Sequence, residues 1–261
     1  MSNLGRGQYI ASVIANIPLC RDHFRLVLRL PKLAPTEPGQ FVQILCHDPD
    51  HDYLEPSQVD SFAAPWDSGE SAGRGGATFA TVARPVLHDP ELCGRTALLR
   101  RPFSLAGRRD TPDGVEIDII HRIVGVGTDW LGRLSATDSV SVLGPLGNRF
   151  TLPEPGKLAI LVGGGVGIPP MLYLAQRLAQ RPDASGRVDP RAVAFSGATT
   201  RQLLPLRVNE TAIGGPVDIE PSLGIEEFAR CGIPSIISTD DGSLGYRGLV
   251  TAALEHYLDR T

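Results

Sequence analysis

LAILVGGGVGIPPMLYL, residues Leu158 to Leu174, is the stretch on which the reading of this chain turns. Leu158 to Val162 is an apolar run with the length of a buried strand, and Gly163, Gly164, Gly165 and Gly167 follow at once. Pro169 and Pro170 come next. Met171, Leu172, Leu174, Ala175 and Leu178 then recur at helical spacing and predict a helix to about Arg181. Prolines suit a first helical turn, where a missing N–H would have had no partner. Strand, glycine turn and helix together make a place for an anion: bare glycines let backbone N–H groups approach a ligand, and a helix N-terminus favours negative charge. A pyrophosphate, and so a nucleotide, is the natural guest. The spacing Gly165-x-Gly167-x-x-Pro170 has proline where the dinucleotide fingerprint has its third glycine, so the run alone also fits a plain tight turn.

Downstream of the turn the pattern alternates. A strand is expected at Arg191–Phe195, a helix around Thr200–Val208, a helix at Ile225–Arg230, a strand at Pro234–Ser238 and a helix from about Leu249 to Leu258. Such alternation implies a parallel sheet with both faces covered. Upstream, short strands without helices between them are expected at Tyr9–Ile14, Phe24–Leu30, Gln40–Cys46, Leu98–Leu105, Gly114–Val124 and Ser139–Leu143. In the second of these, Phe24, Leu26, Leu28 and Leu30 alternate with Arg25, Val27 and Arg29, which marks a half-buried strand. GVGTDWLGRL reads as a glycine turn entering a short helix. A β-barrel or sandwich over residues 1–152 is therefore expected to precede an α/β domain over 153–261, with Pro153, Pro155 and Gly156 in the linker.

Residues 47–94 break the strand pattern with an acidic stretch and a glycine- and serine-rich one, leaving room for one strand at Thr78–Ala83. They read as an insertion forming a surface excursion. His47, Asp48, Asp50, His51 and Asp52 could be drawn as a metal site, but a solvated loop is the better reading and no metal is assigned. Cys20, Cys46, Cys93 and Cys231 lie far apart, without zinc or iron–sulfur spacing, and are expected to be free thiols. A net charge of −4, with scattered Lys and Arg, gives no field for nucleic acid. No apolar run reaches membrane-spanning length and the N-terminus lacks a signal peptide's apolar core, so the expectation is a soluble, cytoplasmic protein.

A barrel strand carrying R-P-x-S (Arg101 to Ser104), then a Gly-Thr turn, then a glycine-loop α/β domain resembles the ferredoxin–NADP reductase superfamily. PGQFV (Pro38 to Val42), RRPFS, HRIVGVGTDWL (His121 to Leu131), GPLGNRF (Gly144 to Phe150), LVGGGVGIPP and above all TDDGSLGYRG (Thr239 to Gly248) look like the electron-transfer subunit of dihydroorotate dehydrogenase. The resemblance runs from about residue 8 to 258. It implies an antiparallel Greek-key barrel binding FAD and a Rossmann-like parallel-sheet domain binding NAD(P)H. On that basis Arg101 would neutralise the flavin nucleotide's pyrophosphate, although a surface salt bridge explains such an arginine equally well. Pro102 and Phe103 would wall the flavin, with core packing an equal account of Phe103. Ser104 would place its hydroxyl near flavin N5, where hydride arrives, and is the one catalytic candidate. Its plain alternative is a strand serine bonded to backbone. Ile120, His121 and Arg122 would line the adenine-nucleotide side, His121 as a contact only, and Gly127 and Thr128 would offer donors to the FAD phosphates. Gly163, Gly164, Gly165 and Gly167 would hold the NADH phosphates. Asp240 and Asp241, at the end of a parallel strand, would face the cofactor cleft, or simply cap the Gly242 turn. Arg201, Arg207 and the loop near Ala198 are the candidates for reading the 2′ position, and NADH and NADPH both stay open.

The implied activity is hydride transfer from NADH to FAD, followed by single-electron transfer through a [2Fe–2S] cluster to the FMN of a dihydroorotate dehydrogenase catalytic subunit in pyrimidine biosynthesis. The family's Cys-Gly-x-x strand and four-cysteine cluster segment are missing from this sequence, so the chain is expected to be a truncated version, incomplete at its C-terminus. A stand-alone flavin-dependent NAD(P)H reductase and a non-catalytic FAD-binding subunit are the other readings.

Overall fold

The computed structural model describes residues 7–46, 99–154, 157–181, 191–213 and 219–261. The expected insertion, with its strand, its histidine–aspartate cluster and Cys93, lies outside these residues, as do Pro155 and Gly156.

Six antiparallel strands close into a barrel: β1 (Gly7–Cys20), β2 (His23–Leu30), β3 (Phe41–Ile44), β4 (Arg101–Thr111), β5 (Gly114–Arg122) and β6 (Ser139–Leu146), in the order β1-β2-β5-β4-β3-β6. The period-two pattern of the sequence sets the register. Leu26 and Leu28 stand opposite Ile119 and Ile117, and all four are fully buried in the barrel core with Leu105, Val42 and Val142. The outer face of the same strands carries charge. Asp118, only 1% exposed, accepts from Arg25 and Arg109, while Glu116 pairs with Arg29 (2.7 Å) across the β2–β5 ladder. Burial pushes the Asp118 carboxyl up, but the guanidinium groups of Arg109 and Arg25 outweigh it and hold it below the ordinary carboxylate range. Helix α1 (Val126–Arg133) plugs one end, with Leu131 in the core.

The second unit is a parallel sheet of β7 (Ala159–Gly164), β8 (Ala192–Ala198), β9 (Ser235–Thr239) and the short β10 (Tyr246–Arg247), ordered β10-β9-β8-β7. Helix α2 (Ile168–Ala179) buries Ile168, Leu172, Ala175 and Leu178 against one face, joined by Phe228 of the one-turn helix α3 (Glu226–Ala229). Helix α4 (Val250–Leu258) covers Phe195 and Ile236 on the other face with Ala253. Pro169 and Pro170 sit in the first turn of α2, as the sequence predicts.

One expected helix does not form. After a single 3-10 turn at Arg201–Leu203 the chain runs extended through Pro205, and Val208 bridges Ile225. Leu204, Pro205 and Leu206 are all buried, and proline removes the N–H that a helix would need.

The two units are fastened through α2. The Tyr173 hydroxyl donates to the Thr36 carbonyl (2.8 Å) inside the contact, and Arg177 pairs with Glu37 (3.2 Å). At another point the Arg21 amide of the β1–β2 turn donates to the Gln202 carbonyl (3.1 Å). No helix among the described residues is long and apolar enough to cross a membrane.

Candidate functional site

Two turns that can receive phosphate are built on these scaffolds. The first lies at the end of the barrel. Arg101 opens β4 opposite Ile44 of β3. Along β4, Phe103 packs into the barrel core, Pro102 is exposed, and Ser104 alternates onto the side carrying Pro102. Helix α1 starts beside Arg101. A Cβ on Gly127 would stand 3.0 Å from Cys46 Cβ and 3.9 Å from Arg101 Nε, so glycine lets the first turn lie this close without displacing Cys46. The Thr128 hydroxyl closes that turn, accepting from the Val124 and Gly125 amides (2.9 and 3.1 Å) and donating to the Gly125 carbonyl (3.0 Å). The Thr128 side chain is thus spent on shaping the helix start, and the first-turn amides remain as donors for an anion. A guanidinium and a helix N-terminus meet here, which is the chemistry a pyrophosphate requires. The adjacent Cys46 thiol is pushed up to about 12 by burial, against the pull of Arg101, and stays protonated.

His121 faces the same end of the barrel from inside. Its ring stacks on Phe24 (5.8 Å) and meets Phe103 edge-on (6.3 Å), it is 4% exposed, and neither ring nitrogen has a hydrogen-bond partner among the described residues. Burial, with the neighbouring His23, lowers its pKa to about 4, so it is neutral. Leaving a buried donor and acceptor unmatched costs about 1–3 kcal/mol each.

The second turn opens a cleft of about 420 Å³ between the two units. Gly164 and Gly165 line it at the end of β7, Gly197, Ala198 and Thr199 at the end of β8, and Asp240 just past β9, while Leu249 with Val250 and Thr251 at the start of α4 forms one wall. This is the carboxyl edge of a parallel sheet, where open α/β folds bind ligands. Gly163 keeps the turn tight: a Cβ there would be 2.7 Å from the Gly167 carbonyl oxygen. Gly165, at φ +50, and Gly167 have nothing within 4 Å of where a Cβ would stand. Facing them from the barrel are Arg122 and His23.

The sequence-predicted residues therefore sort into groups. Arg101 and Gly127 come together at the barrel end, and Arg122 joins Gly164, Gly165 and Asp240 in the cleft. Ile120, His121 and Arg122 do not line one surface, because successive strand residues alternate: His121 points inward, and Ile120 packs against the second unit's core. Asp241 accepts from the Ser243 amide (2.9 Å) and hydroxyl (2.6 Å) in the turn, bonds that hold its carboxyl below the ordinary range. The motif's Thr239 is structural too, being fully buried and exchanging hydrogen bonds with Leu244 (2.8 and 3.0 Å). Arg201 is paired with Glu210. The Gly197–Thr199 edge is the loop near Ala198 that the sequence offers for the 2′ position, whereas sequence reasoning missed His23 and Leu249–Thr251. The first carries no motif, while the second follows from placing the end of β10 beside the glycine turn. Among the described residues no three His, Cys, Asp or Glu side chains converge, so these residues do not supply ligands for an iron–sulfur cluster.

No family model matches the chain. It is similar to the electron transfer subunits of dihydroorotate dehydrogenase B (NAD(+)) from Desulforamulus reducens (32% identical over 169 residues), Bacillus mycoides (32% over 166) and Bacillus velezensis (47% over 88). The aligned parts make up 64%, 63% and 33% of this chain and 54%, 53% and 34% of the relatives. The chain thus spans about a third to a half of the length of these curated relatives. Among solved structures, the Amycolatopsis cytochrome P450 reductase GcoB superposes with a TM-score of 0.57 at 20% identity, over 96% of this chain and 58% of that one. Ferredoxin-NADP+ reductase from Plasmodium falciparum gives 0.57 at 12% identity, over 100% and 84%. With its six-stranded antiparallel barrel and parallel-sheet unit the chain has the ferredoxin–NADP+ reductase-like fold, and its sequence resembles the electron transfer subunits of dihydroorotate dehydrogenase B.

Proposed function

We propose that this chain is an electron-transfer flavoprotein module that binds FAD at the barrel end, binds a reduced nicotinamide nucleotide in the cleft, and passes electrons onward. The observation that carries the reading is the meeting of Arg122, from the barrel, with the glycine turn of the parallel sheet in one cleft. When bound, FAD supplies the capacity to take a hydride and release it as single electrons. The protein's own part is binding and orientation. Arg101 and the α1 amides hold a pyrophosphate; the Phe103 face packs the strand so that Ser104 lies on the outer side, where its hydroxyl can donate to the flavin's hydride-accepting edge. The glycine turn and Arg122 hold the second pyrophosphate. Asp241 only shapes the turn, and Asp240 stands at the cleft wall.

The partner that fits the sequence likeness is the FMN-containing catalytic subunit of dihydroorotate dehydrogenase, in cytoplasmic pyrimidine biosynthesis. A stand-alone NAD(P)H reductase is the second reading. The test is the absorbance spectrum of the purified chain incubated with FAD, before and after anaerobic NADH. A retained flavin band that bleaches supports the proposal. A protein that retains no flavin sinks it, and a band that NADH leaves untouched removes the nicotinamide half. Co-purification with the FMN subunit separates the two partner readings.

A further inference from the structure

The β1–β2 turn of the barrel is anchored on both sides of the cleft. The Arg21 amide donates to Gln202 of the second unit, and the Asp22 carbonyl accepts from the Ile123 amide (2.8 Å). His23, the first residue of β2, is therefore held in place from both units. Its Nδ1 lies 2.8 Å from the Arg21 carbonyl oxygen. A carbonyl only accepts, so Nδ1 carries the proton, and in a neutral ring Nε2 must then be an acceptor. His23 is 7% exposed, lines the cleft beside Arg122, Gly164 and Gly165, and no described residue partners Nε2. The charged and titratable groups around it are Cys20, Arg21 and Asp22 of the β1–β2 segment, His121 and Arg122 of β5, and Asp240 across the cleft. Burial lowers the His23 pKa, the bond to Arg21 opposes this, and the charge of Arg122 lowers it further, so the ring is neutral at physiological pH.

The cleft thus pairs a cation with a fixed neutral acceptor. In a dinucleotide each side of the pyrophosphate continues into a ribose, so a side chain next to the phosphate-holding turn meets ribose hydroxyls. We propose that His23 Nε2 accepts a hydrogen bond from a ribose hydroxyl of the nucleotide bound in the cleft, making this barrel residue a determinant of nucleotide affinity. The proposal rests on the reading of the cleft as a nicotinamide nucleotide site.

The experiment uses the FAD-loaded, oxidised protein with NAD+ as the probe. His23→Asn keeps an N–H for the Arg21 carbonyl and removes the acceptor from the Nε2 position, and His23→Gln returns an amide oxygen near that position. Calorimetric titration is expected to show NAD+ affinity falling ~3- to 10-fold in His23→Asn and recovering to within about twofold in His23→Gln, at unchanged FAD content. Imidazole 15N NMR of the wild type should show the Nδ1–H tautomer, with the Nε2 resonance moving on NAD+ addition. An Nε2 signal that stays put at saturating NAD+, or a folded His23→Asn protein that binds like wild type, overturns the proposal. If His23→Asn does not fold, the wild-type NMR decides. Failure of wild-type protein to bind either NAD+ or NADH while retaining FAD overturns the reading of the cleft, and this proposal with it.

Discussion

The two glycine turns of this molecule differ in what fills the space that a side chain would have taken. At Gly127 the protein itself fills it, since Cys46 Cβ stands 3.0 Å from the missing Cβ and the first turn of α1 is packed onto the barrel. At Gly165 and Gly167 nothing lies within 4 Å. The barrel's turn is finished by the barrel's own packing, whereas the turn of the parallel sheet is left open toward a cleft whose other wall belongs to the barrel. One glycine serves assembly, and the others leave room for a guest.

The largest expected effect tests the frame of the open turn. Gly163→Ala would push a Cβ to 2.7 Å from the Gly167 carbonyl oxygen and 3.1 Å from Ile168 Cα, atoms that cannot rotate away. A loss of about 3 kcal/mol in urea unfolding is expected, together with loss of NADH binding. A variant of wild-type stability would mean that the turn is far softer than its geometry implies. Next, Arg101→Ala should weaken FAD binding by ~30-fold, about 2 kcal/mol, read as flavin retained after gel filtration, while leaving NAD+ affinity at the open turn unchanged.

The barrel's self-sufficiency also shows on its outer face. Asp118→Asn should cost about 2 kcal/mol in urea unfolding, below the usual figure for breaking a buried pair because Arg25 and Arg109 still reach water. The folded carboxyl is held below its unfolded value, so its contribution is present above about pH 4 and disappears as pH falls through the folded value. The wild type should therefore lose more stability than Asp118→Asn between about pH 4 and pH 2, as followed by circular dichroism.

The smallest effects compare the two turns directly. Gly127→Ala should destabilise by about 1 kcal/mol with no ligand present, because Cys46 must give way. Gly167→Ala meets open space at a backbone conformation that alanine accepts, and should leave stability within about 0.5 kcal/mol while reducing NAD+ affinity. The reverse pattern, an inert Gly127→Ala and a destabilising Gly167→Ala, would overturn the contrast between the turns.

Local chemistry wrote much of this molecule into its sequence. The alternation from Phe24 to Leu30, the glycine run followed by two prolines, and the motif order from Arg101 to Gly248 determined a barrel followed by a parallel-sheet unit, because periodicity and turn chemistry are properties of neighbouring residues. The same local logic misled at Thr200–Val208, where apolar spacing suggested a helix and Pro205 removes the N–H that a helix would need. Only the tertiary structure decided which residues share a site. It parted Ile120 from His121 by strand alternation, turned Asp241 into its own loop, and brought His23 and Arg122 across to a glycine turn far along the chain. No pattern of neighbours reports that last meeting, because it depends on how α2 docks against the barrel through Tyr173 and Thr36, a contact between residues far apart in the chain.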